Sequence, residues 1–262
     1  MTRRARILAQ RWEADASRRL PEEVVVEEPL AIRINGETVA TTMRTPGDDF
    51  ELAVGFCQGE GLLAGVKVRS CRYCSDDGPG RYNVVDVSTE GGRGVLSTTV
   101  TARVGLGTSA CGWCGSTVVD DLLARFQPLV NPAGVDPLLV GAVTTALGEQ
   151  QELFATTGGS HAAAAFDQSG ALLVVREDVG RHNALDKVVG RLVLDHRVPA
   201  TGLGLVVSAR ASFELVQKTW AAGCTTLIAV GAPTSLAVEA AKRANLNLIG
   251  FSRPGRHTVY AP

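Results

Sequence analysis

The stretch that decides the fold is residues 203–252, LGLVVSARASFELVQKTWAAGCTTLIAVGAPTSLAVEAAKRANLNLIGFS. Three short apolar runs in it, at 203–209, 225–231 and 247–252, are typical of buried strands. Two longer segments between them have helical spacing, and Gly223 ends the first of these. A strand–helix–strand–helix–strand order predicts a parallel sheet covered by helices. We therefore predict an α/β domain in the C-terminal part of the chain.

Ligands bind such sheets beyond the carboxyl ends of the strands, where we expect three loops. The loops are SARAS (208–212), GAPTS (231–235) and SRPGR (252–256), with arginines at 210, 253 and 256. Guanidinium groups and the N-termini of following helices both favour bound phosphate. Neither GxGxxG nor GxxxxGK[ST] occurs, so a nucleotide would be held in another way, and ordinary strand–helix turns remain the alternative.

The N-terminal part has the residue pattern of a β-rich domain. Alternating and β-branched residues on either side of Asn35-Gly36 predict a β-hairpin, and YNVVDVST (82–89) predicts another strand. The stretch TPGDDFELAVGFCQGEGLL predicts a short helix that Asp48 or Asp49 could cap, with Cys57 on its apolar face. We predict a flexible arginine-rich tail over residues 1–20, a β-rich domain over 21–110 and an α/β domain over 111–262.

Composition narrows the class of protein. The 262 residues are 45% hydrophobic and 20% charged, as in ordinary globular proteins. A net charge of −1 gives no general affinity for nucleic acid or an acidic membrane surface, so neither is an expected partner. No run approaches the roughly 20 apolar residues of a membrane span, and the N-terminus lacks the apolar region of a secretory signal. We therefore expect a cytoplasmic location.

Two CxxC pairs carry the candidate chemistry. Cys71 and Cys74 form CRYC, whereas Cys111 and Cys114 lie in the glycine-rich stretch SACGWCGS. Four thiolates could hold structural zinc, although the spacing is longer than in common zinc ribbons. A CxxC before a helix could also exchange disulfides, and an accessible thiolate on such a loop could carry sulfur as a persulfide. The pairs alone leave all three chemistries open.

A hydrolytic zinc site of the deaminase type is not present in the sequence. That chemistry needs H-x-E and P-C-x-x-C. His161 and His182 each have an alanine where the glutamate should stand, and Ala110 precedes Cys111. The catalytic deaminase set is therefore absent.

Long motifs across the chain resemble one family. They are VVEEPLAIRINGETVATTMRTPGDDFELAVGF (25–56), CGWCG (111–115), TGGSHAAA (157–164), REDVGRHNALDKVVG (176–190), SARASFELVQK (208–218) and GAPTSLAVEAAKRANLNLIGFSRPGRHTVY (231–260). Together they resemble the formate dehydrogenase accessory sulfurtransferase family, the FdhD family, over roughly residues 24–260. Trp113 departs from the smaller apolar residue expected between the two cysteines.

The resemblance implies a specific activity. Such proteins take sulfur from a cysteine desulfurase as a persulfide. They deliver it to the molybdenum bis-(molybdopterin guanine dinucleotide) cofactor before that cofactor enters formate dehydrogenase. The carrier thiol corresponds to Cys111, and Cys114 to the second cysteine of the motif. The resemblance also implies a cytidine deaminase-like α/β/α fold for the larger domain, a homodimer, and no tightly held metal of the protein's own.

The resemblance also points to a cofactor-binding segment, IGFSRP. Its residues are Ile249, Gly250, Phe251, Ser252, Arg253 and Pro254. Arg210, Arg256, His161, Arg181 and His182 are further candidates, although the histidines and Arg181 could equally serve structural hydrogen bonds or a helix cap. Glu177 and Asp178 could cap a helix or accept hydrogen bonds from a guanine edge, and of the two roles we expect capping.

Two alternatives to a persulfide carrier remain. The first is a zinc-stabilised chaperone of the cofactor that transfers no sulfur, and the second is a thiol oxidoreductase. A structural metal bound by Cys111 would immobilise the carrier thiol, so the zinc site and the carrier role exclude each other.

Overall fold

The computed structural model of the chain describes residues 1–63, 65–74, 82–92, 127–130 and 135–261. Within these ranges, the strands are β1 (Arg4–Glu13), β2 (Ala16–Val25), β3 (Glu28–Ile34), β4 (Glu37–Arg44), β5 (Val68–Tyr73), β6 (Val84–Thr89), β7 (His161–Phe166), β8 (Leu172–Asp178), β9 (Gly204–Val207), β10 (Thr226–Ala229), β11 (Asn247–Arg253) and β12 (Arg256–Ala261). The helices are α1 (Asp49–Gly59), α2 (Pro137–Glu149), α3 (Glu152–Thr157), α4 (Arg181–Leu194), α5 (Phe213–Ala221) and α6 (Ser235–Ala244), with a 3₁₀ turn at Glu90–Gly92. No helix in these ranges is long and apolar enough to cross a membrane.

The C-terminal part is built on a six-stranded sheet in the order β12-β11-β10-β9-β7-β8. Its centre, β9, β10 and β11, is parallel, whereas β7, β8 and β12 run antiparallel to their neighbours. The predicted parallel sheet and the α/β class are confirmed. Sequence patterning does not identify β7 (HAAAAF), because alanine has little preference for strands.

Helices cover both faces of this sheet. On one face α4, α5 and α6 bury a core that includes Leu185, Leu192, Leu215 and Trp220. On the other face α2 packs, and it was not predicted. Its apolar side chains Val140, Val143 and Leu147 lie against Ala162, Ala164, Phe166, Val206, Ile228 and Ile249. The result is a three-layer α/β/α arrangement.

The N-terminal part contains a four-stranded sheet, β4-β3-β6-β5, with α1 on one face. Asn35 and Gly36 connect β3 to β4 with φ values of 51° and 87°, both in the left-handed region that tight hairpin turns require. The predicted hairpin, the strand at 82–89 and the helix are all confirmed. Asp48 occupies the N-cap position of α1, but its side chain makes no capping hydrogen bond.

Residues 4–25 form a β-hairpin instead of the flexible tail expected for residues 1–20. Strands β1 and β2 pair in register from Arg4↔Val25 to Glu13↔Ala16. Cross-strand ion pairs join Arg11 to Glu22 and Arg18 to Glu13. No turn signal marks this connection in the sequence, because its residues are Ala14-Asp15. Ala14 nevertheless takes a φ of 52°.

Helices α1 and α4 cross so closely that they join the two parts of the molecule. A Cβ at Gly55 would lie 1.8 Å from the carbonyl oxygen of Asp186, and one at Gly190 would lie 1.8 Å from that of Glu51. The backbones touch because both crossing positions lack a side chain. The predicted domain boundary at 110/111 lies outside the described residues and stays a prediction.

Candidate functional site

One edge of the six-stranded sheet gathers the residues predicted to bind the cofactor. The carboxyl ends of β9, β10 and β11 point there, as does the end of β8. Strand β7 runs the other way, so its first residue, His161, pairs with Asp178 at the end of β8. Arg181 and His182 begin α4 just after β8, Arg210 follows β9, and residues 249–254 with Arg256 lie on β11 and β12. Cys111 and Cys114 lie outside the described residues.

Backbone hydrogen bonds connect the loops at this edge to one another. The amide of Gly231 donates to Ala209 O at 3.0 Å, and that of Phe251 donates to Gly231 O at 3.0 Å. Ser208 ties the next strand to this row, because its Oγ accepts from the amide of Ala162 at 2.9 Å. The site therefore rests on a scaffold whose loop amides are paired within the protein.

The segment 249–254 differs from the loop predicted at 252–256. Strand β11 continues to Arg253 and turns directly into β12, with Arg253 paired to Arg256 and a register shift after Gly250. No helix follows, so this segment offers no helix N-terminus to a phosphate. Its exposed members are Phe251, Arg253 and Pro254, whereas Ile249, Gly250 and Ser252 are buried.

Phe251 is the exposed aromatic residue of the site. Its φ is 51°, in the left-handed region that β-carbon-bearing residues rarely adopt, at a cost of about 1 to 2 kcal/mol. The side chain is 45% exposed although phenylalanine is usually buried. The irregular backbone thus presents an apolar ring to solvent beside the loop arginines.

The loop arginines give this edge its positive charge. Arg253 donates from Nη1 to the carbonyls of Val230 and Ser252, both at 2.7 Å, which fixes its guanidinium along the loop. Arg210 and Arg256 are exposed. Gly231 permits the close packing of Arg210, because a Cβ there would lie 2.9 Å from Arg210 Cγ. Such donors suit an anionic ligand.

The two histidines of the site are held neutral. Burial and the charge of Arg181 lower the pKa of His161, while Asp178 opposes the shift. Burial, Arg181 and Lys218 together lower the pKa of His182 to about 4. His182 Nε2 lies 3.3 Å from Ser212 Oγ and 3.8 Å from Glu214 Oε2. Near neutral pH, Arg181 is therefore the charged member of this group.

The expected capping roles of Glu177 and Asp178 are confirmed. The Glu177 carboxylate accepts from the amides of Leu153 and Phe154 at 2.8 and 2.9 Å, at the start of α3. Asp178 Oδ1 accepts from the amide of Gly180 at 2.9 Å, immediately before α4. Asp178 also pairs with the fully buried Lys187, with 2.8 Å between Oδ2 and Nζ. Both carboxylates thus have structural roles, in hydrogen bonds and an ion pair within the protein.

Several residues of the site escaped sequence reasoning. Ser208 and Ser212 lie in the predicted loop SARAS and could have been noticed there as small hydroxyl residues after a strand. The buried pair between Lys218 Nζ and Asp186 Oδ1, 2.8 Å apart behind His182, had no local signal because the two residues are distant in sequence. Burial raises the pKa of Asp186 to about 6 despite the lysine.

The first CxxC pair belongs to the N-terminal sheet. Cys71 lies in β5 and not in a loop, with its thiol packed against the core, and burial and Asp86 raise its pKa to about 11. The amide of Cys74 donates to Val84 O at 3.0 Å. Cys57, predicted on the apolar face of α1, is fully buried as expected, and Cys224 is fully buried as well. Among the described residues, no three His, Cys, Asp or Glu side chains form a group that could hold a metal ion.

Comparisons with known proteins agree with this fold. A family model described as the FdhD/NarQ family matches residues 25–262. The chain is 46% identical to a protein of Mycolicibacterium paratuberculosis named sulfur carrier protein FdhD, with 92% of this chain and 90% of that protein covered. It is 45% identical to the protein of that name from Streptomyces coelicolor, with 100% and 94% covered.

One crystal structure has the same fold throughout. It is described as a candidate formate dehydrogenase accessory protein from Desulfotalea psychrophila. It matches with a TM-score of 0.78 at 22% identity, covering 100% of this chain and 98% of that one. The three-layer arrangement and the N-terminal sheet are thus a fold already seen in a crystal.

Proposed function

The chain belongs to the FdhD/NarQ family, and from that premise we propose that it is a sulfur carrier, a sulfurtransferase that serves formate dehydrogenase. It accepts sulfur from a cysteine desulfurase as a persulfide on Cys111. It then transfers this sulfur to its substrate, the molybdenum bis-(molybdopterin guanine dinucleotide) cofactor, before the cofactor is inserted. The observation that carries the proposal is the match along nearly the whole chain to relatives named sulfur carrier protein.

The first step is an exchange at sulfur. The Cys111 thiolate attacks the terminal sulfur of the desulfurase persulfide, a new S–S bond forms, and the desulfurase cysteine leaves as a thiolate. No electrons are gained or lost overall, because one persulfide replaces another. Cys114 is the second thiol of this site. Cys71 and Cys224 suit the reaction poorly, since burial raises the pKa of Cys71 to about 11 and of Cys224 to about 12.

The cofactor would bind at the carboxyl edge of the six-stranded sheet. Its pyrophosphate groups need cationic donors, which Arg210, Arg253 and Arg256 supply. Its guanine bases offer flat faces, for which the exposed Phe251 ring is a stacking surface. His161 and Arg181 would complete the rim of this site, and His182 would orient the start of α4. A homodimer would provide two such edges for a ligand with two guanine ends.

A zinc-stabilised chaperone finds less support. That alternative needs Cys71 as a metal ligand, and the thiol of Cys71 packs against an apolar core beside Asp86, a setting that disfavours a thiolate.

The experiment is the activation of formate dehydrogenase co-produced with this protein in a host that lacks its own carrier. Cys111→Ala is expected to abolish formate oxidation. Cys74→Ala, a matched change in the other CxxC pair, is expected to preserve it. Equal activity with both variants would contradict the carrier role of Cys111.

A further inference from the structure

We propose that Thr144 of α2 is a positioning residue that holds Phe251 and Arg253 outward for the guanine nucleotide end of the ligand. The inference rests on the proposed function, because it assigns a second structural element to the same site. Thr144 lies on the opposite face of the sheet from α4 and α5, and no sequence motif points to it. Its side chain reaches the site through a buried contact with Ser252.

The two hydroxyl groups form a directed hydrogen-bond chain. Thr144 Oγ1 lies 2.8 Å from the carbonyl oxygen of Val140 and 2.6 Å from Ser252 Oγ. A hydroxyl has one proton to give, and the Val140 carbonyl can only accept, so Thr144 donates to Val140. Ser252 therefore donates to Thr144. Ser252 is fully buried, and no other hydrogen bond of its hydroxyl is seen in the described part of the chain.

This contact sits at the centre of the irregular segment of β11. Ser252 is flanked by Phe251 and Arg253, both exposed, and the register with β12 shifts between Gly250 and Arg253. The left-handed φ of Phe251 has an energetic cost, so the segment keeps its shape only if its neighbours hold it there. Anchoring the Ser252 side chain inward fixes the direction in which the two flanking side chains leave the backbone.

Helix α2 also supports the hairpin turn from outside. Gly141 lies one turn before Thr144, and a Cβ there would lie 3.6 Å from the amide nitrogen of Gly255 and 3.7 Å from Pro254 Cα. The helix thus passes close to the turn at Gly141, and it contacts the strand both through the apolar side chains that pack on Ile249 and through the Thr144 hydroxyl. Of these contacts, the hydroxyl is the one that points into the β11 backbone irregularity.

The same helix contains a matched control. Thr145 Oγ1 bonds the carbonyl of Gly141 at 3.0 Å, just as Thr144 bonds that of Val140, but Thr145 is exposed and does not contact β11. Thr→Val at either position keeps the shape of the side chain and removes the hydroxyl. Only at position 144 does this leave a buried partner hydroxyl unsatisfied.

The test compares the full-length wild type with Thr144→Val, Thr145→Val and Thr144→Ser. One readout is the Kd for guanosine diphosphate by calorimetry. The other is backbone hydrogen exchange of the peptide that spans residues 250–253, without ligand. We expect Thr144→Val to weaken binding roughly tenfold and to speed exchange in this peptide. Thr145→Val should match the wild type, and Thr144→Ser, which keeps the hydroxyl, should restore both readouts.

The outcomes separate the two proposals. If the wild type binds guanosine diphosphate and Thr144→Val has the same Kd and exchange rate as Thr145→Val, the role of Thr144 is overturned. The proposed function then still stands. If the wild type does not bind guanosine diphosphate, the guanine-binding step of the proposed function is contradicted. The hydrogen-exchange readout alone then tests the role of Thr144. Faster exchange only in Thr144→Val supports the positioning role, and equal exchange overturns it.

Discussion

The crossing of α1 over α4 should be the position least tolerant of an added methyl group. At Gly190 the new Cβ would lie 1.8 Å from the carbonyl oxygen of Glu51 and 2.8 Å from the amide nitrogen of Gly55. Both neighbours are backbone atoms, which no rotamer change can move away. Because real Cβ atoms essentially never come within 3.0 Å of another heavy atom, the helices must separate by about 1 Å or more.

The energetic consequence follows from that displacement. Overpacking of a core costs about 1 to 3 kcal/mol, and backbone movement puts Gly190→Ala at the upper end, about 3 kcal/mol. For a protein of this size, each kcal/mol shifts the melting temperature by roughly 2 to 4 °C. The melting temperature should therefore fall by about 6 to 12 °C. Gly148→Ala in α2 is the control, since nothing lies within 4 Å of its Cβ position.

The two glycine variants should shift stability in opposite directions. Alanine is favoured over glycine inside a helix by about 0.5 to 1 kcal/mol, so Gly148→Ala should raise the melting temperature slightly. Thermal unfolding followed by circular dichroism compares both variants with the wild type. A Gly190→Ala protein as stable as Gly148→Ala would refute the backbone contact between α1 and α4.

His182→Gln should alter how stability depends on pH. The pKa of His182 is near 6.5 in the unfolded chain and about 4 in the folded protein, so the unfolded wild type binds more protons between these two pH values. The stability of the wild type therefore falls as the pH is lowered through this range, by up to about 3 kcal/mol. Urea unfolding at pH 7.5, 5.5 and 4.5 should show this loss reduced in the variant, and an equal loss in both proteins would refute the buried, neutral histidine. Lys187→Met leaves the buried Asp178 carboxylate without its cation and should cost about 3 to 5 kcal/mol in urea unfolding, part of which Asp178→Asn in the same protein should restore. A double variant no more stable than Lys187→Met would show that the ion pair is not the cause. Arg210→Ala should weaken binding of guanosine diphosphate about tenfold and make it less sensitive to salt. Titrations at two salt concentrations would contradict this if affinity and salt dependence both stayed at wild-type values.

The sequence predicted those elements whose signal is local. The strands and helices of residues 203–252 followed from apolar periodicity, and the β3–β4 hairpin followed from Asn35-Gly36. Strand β7 was missed because four of its six residues are alanines, which have little preference for strands. These alanines fit the space between α2 and α4, which is a tertiary contact and not a local signal. Helix α2 had an overlooked start signal, Asp136 followed by Pro137, and Asp136 does cap it.

The location of the site could be predicted from the sequence, but the contacts that hold its residues in place could not. The carboxyl-end rule placed Arg210 and Arg253 at one edge, and the structure has them there. The contact between Thr144 and Ser252 joins residues far apart in sequence, and neither residue is unusual in its own segment. The left-handed Phe251 was equally hidden, because glycine and asparagine are the residues that signal such a backbone.

The central claim is that Cys111 carries sulfur, and intact-protein mass spectrometry tests it most directly. The protein is incubated with a cysteine desulfurase and cysteine, in the wild-type form and as Cys111→Ala. The account predicts that the wild type gains one sulfur atom, that a reductant removes it, and that the variant gains none. A gain that survives in Cys111→Ala, or no gain by the wild type, would contradict the account.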